Sequence, residues 1–193
     1  MALIGYSLGI YDNKSYMNPN MYGIDICGCL SYVKNRYQHL SPIFKLKNRR
    51  ADVSVTYDSF VIVSNRFRDF CVDNDYKGVH FYELANYNDR FYMEIFNVVT
   101  VDTKRREIDY YEYNLACNEY NEVIGAHPVC LINKTPLDKG FYRTDIEFGR
   151  GYAKSGIEIV DIQTGKELKS EKFKGLYLDE ILTEYSFERE RNN

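Results

Sequence analysis

Tryptophan is absent from this 193-residue chain, and proline (four), methionine (four) and histidine (three) are scarce. So little proline leaves no Pro-rich linker and no polyproline recognition segment. Three histidines, His39, His80 and His127, leave little material for imidazole acid–base chemistry. No apolar run approaches the roughly 20 residues that cross a bilayer as a helix. A surplus of either charge is also missing. Lys and Arg total 25 against 28 Asp and Glu, interleaved to a net charge of −3, which removes the electrostatic case for binding nucleic acid or a membrane surface. The apolar stretch Met1 to Ile10 has no basic residue ahead of its apolar part and no small-residue cleavage site behind it, so a cytoplasmic location is expected. In that compartment the five cysteines, an odd number, are expected as reduced thiols, and the sequon at Asn133 as chance.

What is present is aromatic. Nineteen Tyr and eleven Phe in a chain that is 45% hydrophobic provide core material for one sizeable domain and favour a sheet, because flat rings pack well on a pleated surface. Tyrosine also serves at interfaces, where the ring is covered while the hydroxyl keeps a partner.

The strongest internal signal is a repeat. Residues 59–84 align without a gap on residues 156–181 at an offset of 97 (156 minus 59), with five of the 26 positions identical. Ile62-Val63 falls on Ile159-Val160, Lys77-Gly78 on Lys174-Gly175, and Glu83 on Glu180. In each copy an apolar run comes first, a polar middle follows, and an aromatic-Lys-Gly-apolar segment comes last, as expected of a structural unit used twice. In the first copy Phe60 to Val63 is of strand type, Ser64 is placed to cap a helix, Phe67, Phe70 and Cys71 recur at helical spacing, and Val79 to Leu84 is a second strand. The second copy has Gly165 in its middle, behind Thr164, which leaves a helix and a β-hairpin as equal alternatives. Further strands are expected over Ala2 to Ile10, Phe91 to Val101, Glu107 to Leu115 and Tyr142 to Phe148, the middle two pairing through a turn at Asp102 to Arg106. The expected fold class is α+β: one sheet-rich body over residues 1–193, containing the related sub-units 59–84 and 156–181, each strand–(helix or hairpin)–strand.

Candidate chemistry is sparse. Cys27, Cys29, Cys117 and Cys130, with His39 or His127 in reserve, offer sulfurs to zinc, but structural sites pair their ligands across two or more residues. Here the first pair is Cys-x-Cys and the second is split by twelve residues, so no metal and no cofactor are expected, with zinc at these cysteines as the alternative. Gly149 to Ser155 has Ala153 where a phosphate loop needs glycine before its lysine, and is read as a turn. Tyr110, Tyr111 and Tyr113 among Asp109 and Glu112 form an acidic, tyrosine-rich segment suited to a basic protein partner, or one whose rings simply pack on the sheet. Alternation places Asp145 and Glu147 on one strand face beside Arg143, either as a solvated face or as a second partner-facing patch.

Ile62-Val-Ser-Asn-Arg-Phe-Arg-Asp69 with Lys77-Gly78-Val-His-Phe81, then Gly140-Phe-Tyr-Arg-Thr-Asp-Ile-Glu-Phe-Gly149, and finally Lys154-Ser155, Ile159-Val160 and Lys174-Gly175-Leu176 together resemble a family of bacterial immunity proteins of polymorphic toxin systems. Relatives in that family carry a doubled Cys-x-x-Cys-Gly motif. Cys27-Gly-Cys29, and Cys117 with Cys130, occupy roughly the places of those pairs without their spacing. The resemblance implies a cytoplasmic inhibitor without enzymatic activity whose partner is a cognate protein toxin, blocked by steric occlusion. Alternative readings are a zinc-stabilised structural or regulatory domain, and a hydrolase or transferase whose site the sequence does not reveal.

Overall fold

Val61-Ile62-Val63 sends alternate side chains to opposite faces of a strand, and both faces find a core. Val61 and Val63 join one buried cluster with Phe67 and Cys71, while Phe60 and Ile62 join another with Leu84 and Tyr92. A strand covered on both sides has no use for polar alternation, which is why the repeat opens on a continuous apolar run. The computed structural model describes residues 1–21 and 32–184; Cys27, Cys29 and the charged tail Glu188 to Asn193 lie outside these. The described residues form twelve strands in three sheets, an α+β, sheet-rich fold.

The first unit contains β2 (Val53–Val55), β3 (Val61–Ser64), helix α1 (Asn65–Asp73), β4 (Val79–Glu83) and β5 (Arg90–Ile95), in sheet order β2-β3-β5-β4. Ser64 caps α1 as expected, its Oγ accepting from Phe67 N at 3.3 Å and donating to Asp52 at 3.0 Å. The second unit contains β9 (Phe141–Thr144), β11 (Glu158–Asp161), helix α2 (Ile162–Glu171) and β12 (Leu176–Leu182). Its middle segment is a helix. Asp161, at the repeat position of Ser64, caps it by accepting from Gln163 N at 2.7 Å and Thr164 N at 3.2 Å. Gly165 stands in the helix interior because the Tyr6 ring lies where a Cβ would go, 2.1 Å from its ideal position. The cost of a helix glycine, roughly 0.5–1 kcal/mol against alanine, accompanies that close approach.

The strand that completes the second unit comes from the other end of the chain. β1 (Leu3–Ile10) runs antiparallel between β11 and β12, as β5 runs between β3 and β4. The registers correspond residue by residue: Val63 pairs with Phe91, which pairs with Glu83; Val160 pairs with Tyr6, which pairs with Glu180. Val63 and Val160 thus occupy equivalent places in one shared core.

The two units then hold each other through the repeated Lys-Gly. Lys77 O accepts from Phe141 N at 2.9 Å, and Lys174 O accepts from Asp52 N at 2.8 Å and Val53 N at 3.1 Å, so each unit's turn bonds to the first strand of the other. Gly78 (φ +79°) and Gly175 (φ +88°) are in the left-handed region, and a Cβ would sit 2.4 Å from Phe141 O in one and 2.1 Å from Val53 O in the other. Each central strand also crosses over at its end. Beyond β5, β6 (Val98–Val99) runs parallel to β9 in the second unit's sheet, and beyond β1, Asp12 bridges in parallel to Val55 of the first.

A third sheet, β10-β8-β7, stands outside the two units, with β7 (Asp109–Asn114) and β8 (Glu119–Ile124) forming a hairpin and β10 (Gly149–Arg150) alongside. Two expectations are corrected here. Phe91 to Val101 does not pair with Glu107 to Leu115. It breaks at Asn97, whose side chain bonds Phe141 O at 3.1 Å, and its halves serve the two units, while β7 pairs with the unanticipated β8. The strand expected over Tyr142 to Phe148 ends at Thr144, because the Thr144 hydroxyl donates to Ile146 O at 2.7 Å and accepts from Ile157 N at 2.9 Å, turning the chain.

Candidate functional site

The hairpin and the turn after β9 face each other across a groove of about 500 Å³. Its walls carry Tyr110 and Tyr120 on one side and Arg143, Asp145 and Glu147 on the other. Four of the eight residues expected to meet a partner, Tyr110, Arg143, Asp145 and Glu147, therefore line one depression, although they are separated by 33 residues in sequence (143 minus 110). They reach it by another route than alternation on a strand. Asp145 Oδ1 accepts from Val101 N at 2.9 Å and so fixes the turn, whereas Glu147 makes no ion pair with any described residue.

Tyr111, Tyr113, Asp109 and Glu112 share β7, an edge strand whose residues are almost all exposed. Tyr110, Tyr111 and Tyr113 keep 43%, 46% and 45% of their surface in water, so the reading in which these rings simply pack on the sheet accounts for only part of each. Glu112 has φ +56°, which breaks the alternation of the strand, and the rings of Tyr110 and Tyr113 both reach Tyr120, at 5.0 and 4.7 Å. Glu112 is also engaged, accepting from Arg150 at 2.6 Å and Asn121 at 2.6 Å. Of the acidic residues on β7, Asp109 alone has neither an ion pair nor a side-chain hydrogen bond among the described residues.

Beyond Arg143 and Glu147 the groove narrows into a cleft of about 70 Å³ between the two units, where Glu94 of β5 and Glu158 of β11 join Arg36 and Lys34. Roughly 10–15 Å³ admits one water, so the cleft has room for a small polar group. Arg36 forms its wall. It is 6% exposed and spends its donors on four carbonyls, Lys154 O at 2.6 Å, Tyr152 O at 3.1 Å, Val33 O at 3.2 Å and Asp58 O at 3.4 Å. Burial raises the carboxyls of Glu94, Glu147 and Glu158 above the ordinary carboxylate range, Glu158 to about 7. For Glu94 the Tyr82 hydroxyl offsets part of the rise, for Glu147 the Arg36 charge does, and for Glu158 a backbone N–H does. Glu94 Oε2 is sealed from solvent with no hydrogen-bond partner. Sequence reasoning missed Glu94, Glu158 and Arg36. The signal for the first two was a carboxylate inside an apolar strand run, Phe-Tyr-Met-Glu94-Ile and Ile-Glu158-Ile-Val.

The other candidates lie elsewhere. Cys71 is 1% exposed on the buried stripe of α1, Cys130 is equally buried beside Pro128 O, and Cys117 is partly exposed. Among the described residues no three His, Cys, Asp or Glu side chains are grouped to hold a metal ion, and no histidine lines the groove or the cleft. Lys154, of the segment compared with a phosphate loop, is 2% exposed and donates to Tyr120 O at 2.7 Å. No described helix is long and apolar enough to cross a membrane. Compared with family models, curated proteins and solved structures, the chain finds no significant match.

Proposed function

We propose that this chain is an immunity-type inhibitor, which binds a cognate protein toxin and blocks it by covering the toxin's working surface, without catalysing a reaction itself. One observation carries the reading: an edge strand displays three half-exposed tyrosines, and one of them, Tyr110, lines a groove that also holds Asp145 and Glu147, neither of them in an ion pair among the described residues. Rigid rings offer contact area at low entropic cost, and carboxylates steer a basic partner toward them. The interlocked pair of units supplies a platform that holds the groove's far wall in place, as a preorganised binder requires. The family resemblance of residues 60–181 points the same way.

Co-expression with the toxic domain of a candidate cognate toxin tests the reading. The expected result is a complex that copurifies at equal stoichiometry and lets the host cell survive. Tyr110→Ala and Tyr111→Ala should each weaken the purified complex about tenfold, as loss of an aromatic anchor does. A toxic domain that neither binds nor loses toxicity in the presence of the chain overturns it.

A further inference from the structure

Ser7 of β1 and Tyr92 of β5 stand at equivalent places in the two units. Tyr92 pairs with Ile62 and Tyr82, and Ser7 with Ile159 and Asp179, each partner 97 positions further on (159 minus 62, 179 minus 82). In the first unit this place is filled by rings. Tyr92 is 5% exposed, stacked on Tyr82 at 5.9 Å and packed on Phe60 at 5.3 Å. In the second unit the same three positions are Ser7, Asp179 and Ile157, and a pocket of about 270 Å³ opens over the sheet. Ser7 and Asp179 line it from the strands, while His127, Pro128 and Val129, from the loop after β8, form its other wall. That wall is anchored, because Val129 is buried in the same cluster as Ile159 of the sheet.

The floor of the pocket is polar and has nothing to bond. Tyr6 and Leu8 turn into the core that the units share, so alternation turns Ser7 to the opposite face, where the pocket lies. Ser7 is 3% exposed, and among the described residues its hydroxyl has no hydrogen-bond partner; the Asp179 carboxylate and the His127 ring have none either. A buried hydroxyl without a partner costs the fold stability, and no cap or ladder uses it. The complementary group is a flat ring with a hydrogen-bond donor. The ring is what the same frame holds in the other copy, and Pro128 and Val129 supply apolar walls for it; the donor answers Ser7 and Asp179, both of which accept. The volume suffices, since an engineered cavity of about 150 Å³ already admits benzene.

We propose that this pocket binds a small phenol, its ring lying over Ser7 where the first unit has the Tyr92 ring, and its hydroxyl donating to Asp179. The site is a property of the second unit alone and does not rest on the inhibitor reading.

The probe is 4-methylphenol, titrated into the full chain and followed by the backbone amide resonances of Ser7, Val129 and Asp179. Of two controls, 4-methylanisole keeps the ring without the donor, and 4-methylcyclohexanol keeps the donor without the flat ring. Saturable shifts with the phenol, about tenfold weaker binding with either control, are expected. Ser7→Tyr, which restores the first unit's ring, should abolish binding. Asp179→Ala, on an exposed edge strand, should weaken it about tenfold while the remaining resonances stay in place. Non-saturating shifts, an equal response to either control, or undiminished binding by Asp179→Ala would overturn the proposal whether or not Ser7→Tyr folds. A folded Ser7→Tyr chain that still binds would overturn it as well.

Discussion

The two units share a topology, a register and an interlocking turn, yet they differ at one matched pair of helix positions. Arg68 of α1 lies over the Phe91 ring at 4.3 Å, while at the equivalent place in α2 Gly165 lets the Tyr6 ring press against the helix, and Lys169 lies over that ring at 3.9 Å. Phe91 and Tyr6 are themselves equivalent, each facing its first-strand valine. The same ring-on-helix contact is therefore made twice by different means: a long cation laid over a buried core ring in one unit, and removal of a side chain in the other. What the duplication preserves is the place where units touch. What it frees is how each helix meets its own sheet.

Breaking the preserved part should have the largest effect. Gly78→Ala and Gly175→Ala each force a side chain into the left-handed region and against a backbone carbonyl of the other unit, at 2.4 and 2.1 Å. Neither carbonyl is a flexible chain end that can move aside, so each variant should lose about 3 kcal/mol or more, a melting temperature lower by about 6–12 °C. Equal losses are the diagnostic result. A much milder effect at one of the two would mean that the reciprocity is geometric only.

Breaking the divergent part should cost less and unequally. Gly165→Ala gains helix propensity but meets the Tyr6 ring, and overpacking of this kind costs about 1–3 kcal/mol. Arg68→Ala, at the matched position, loses a partly exposed cation–π contact of about 0.5–1 kcal/mol. Thermal unfolding of both variants ranks the two modes of packing directly.

Much of this was legible in the chain. The repeat, the first helix with its Ser64 cap, and the paired Lys-Gly turns follow from local chemistry, and local chemistry is what a sequence displays. Three things were not. Gly165 reads as a helix breaker until Tyr6, 159 positions away (165 minus 6), is seen to require it. The crossing of β5 into β6 turns on the Asn97 side chain finding Phe141 O, a tertiary bond with no sequence pattern. Strand β8, Glu119–Ile124, has one buried residue, Val123, so its pairing leaves no clean alternation to read. The site divides similarly. Tyr110 was singled out by its tyrosine-rich surroundings, and Arg143, Asp145 and Glu147 by an alternation on a strand that ends at Thr144, yet the four meet in one groove, whereas Arg36, Glu94 and Glu158 became a site only when the two units closed on them.

The closing of the units on Glu158 has a measurable cost. A carboxyl held near 7 in the folded chain and near its ordinary 4.5 when unfolded binds more protons folded, so its contribution favours folding below about pH 4.5 and turns unfavourable as pH rises through 7. The groups lining the same cleft, Lys34, Arg36, Tyr92, Glu94, Arg143 and Glu147, include the cations that keep the cost finite. Glu158→Gln removes the titration. Relative to the parent, the variant should gain about 2.5 kcal/mol on going from pH 5 to pH 8, read as a difference in melting temperature at the two values. An unchanged difference would show that water reaches the carboxylate freely.

The smallest expected effect separates the hairpin from the two units. Tyr111 is nearly half in water on an edge strand outside all three buried clusters, so Tyr111→Ala should change stability by no more than about 0.5 kcal/mol. A residue that the fold barely uses but that displays a large aromatic surface is a liability unless a partner covers it. The informative result is therefore a pair: an unchanged melting temperature together with an affinity for the cognate toxin lowered about tenfold. Loss of stability comparable to that of Gly165→Ala would instead make Tyr111 a structural residue and remove the hairpin from the binding surface, leaving the groove's inner carboxylates as its remaining support.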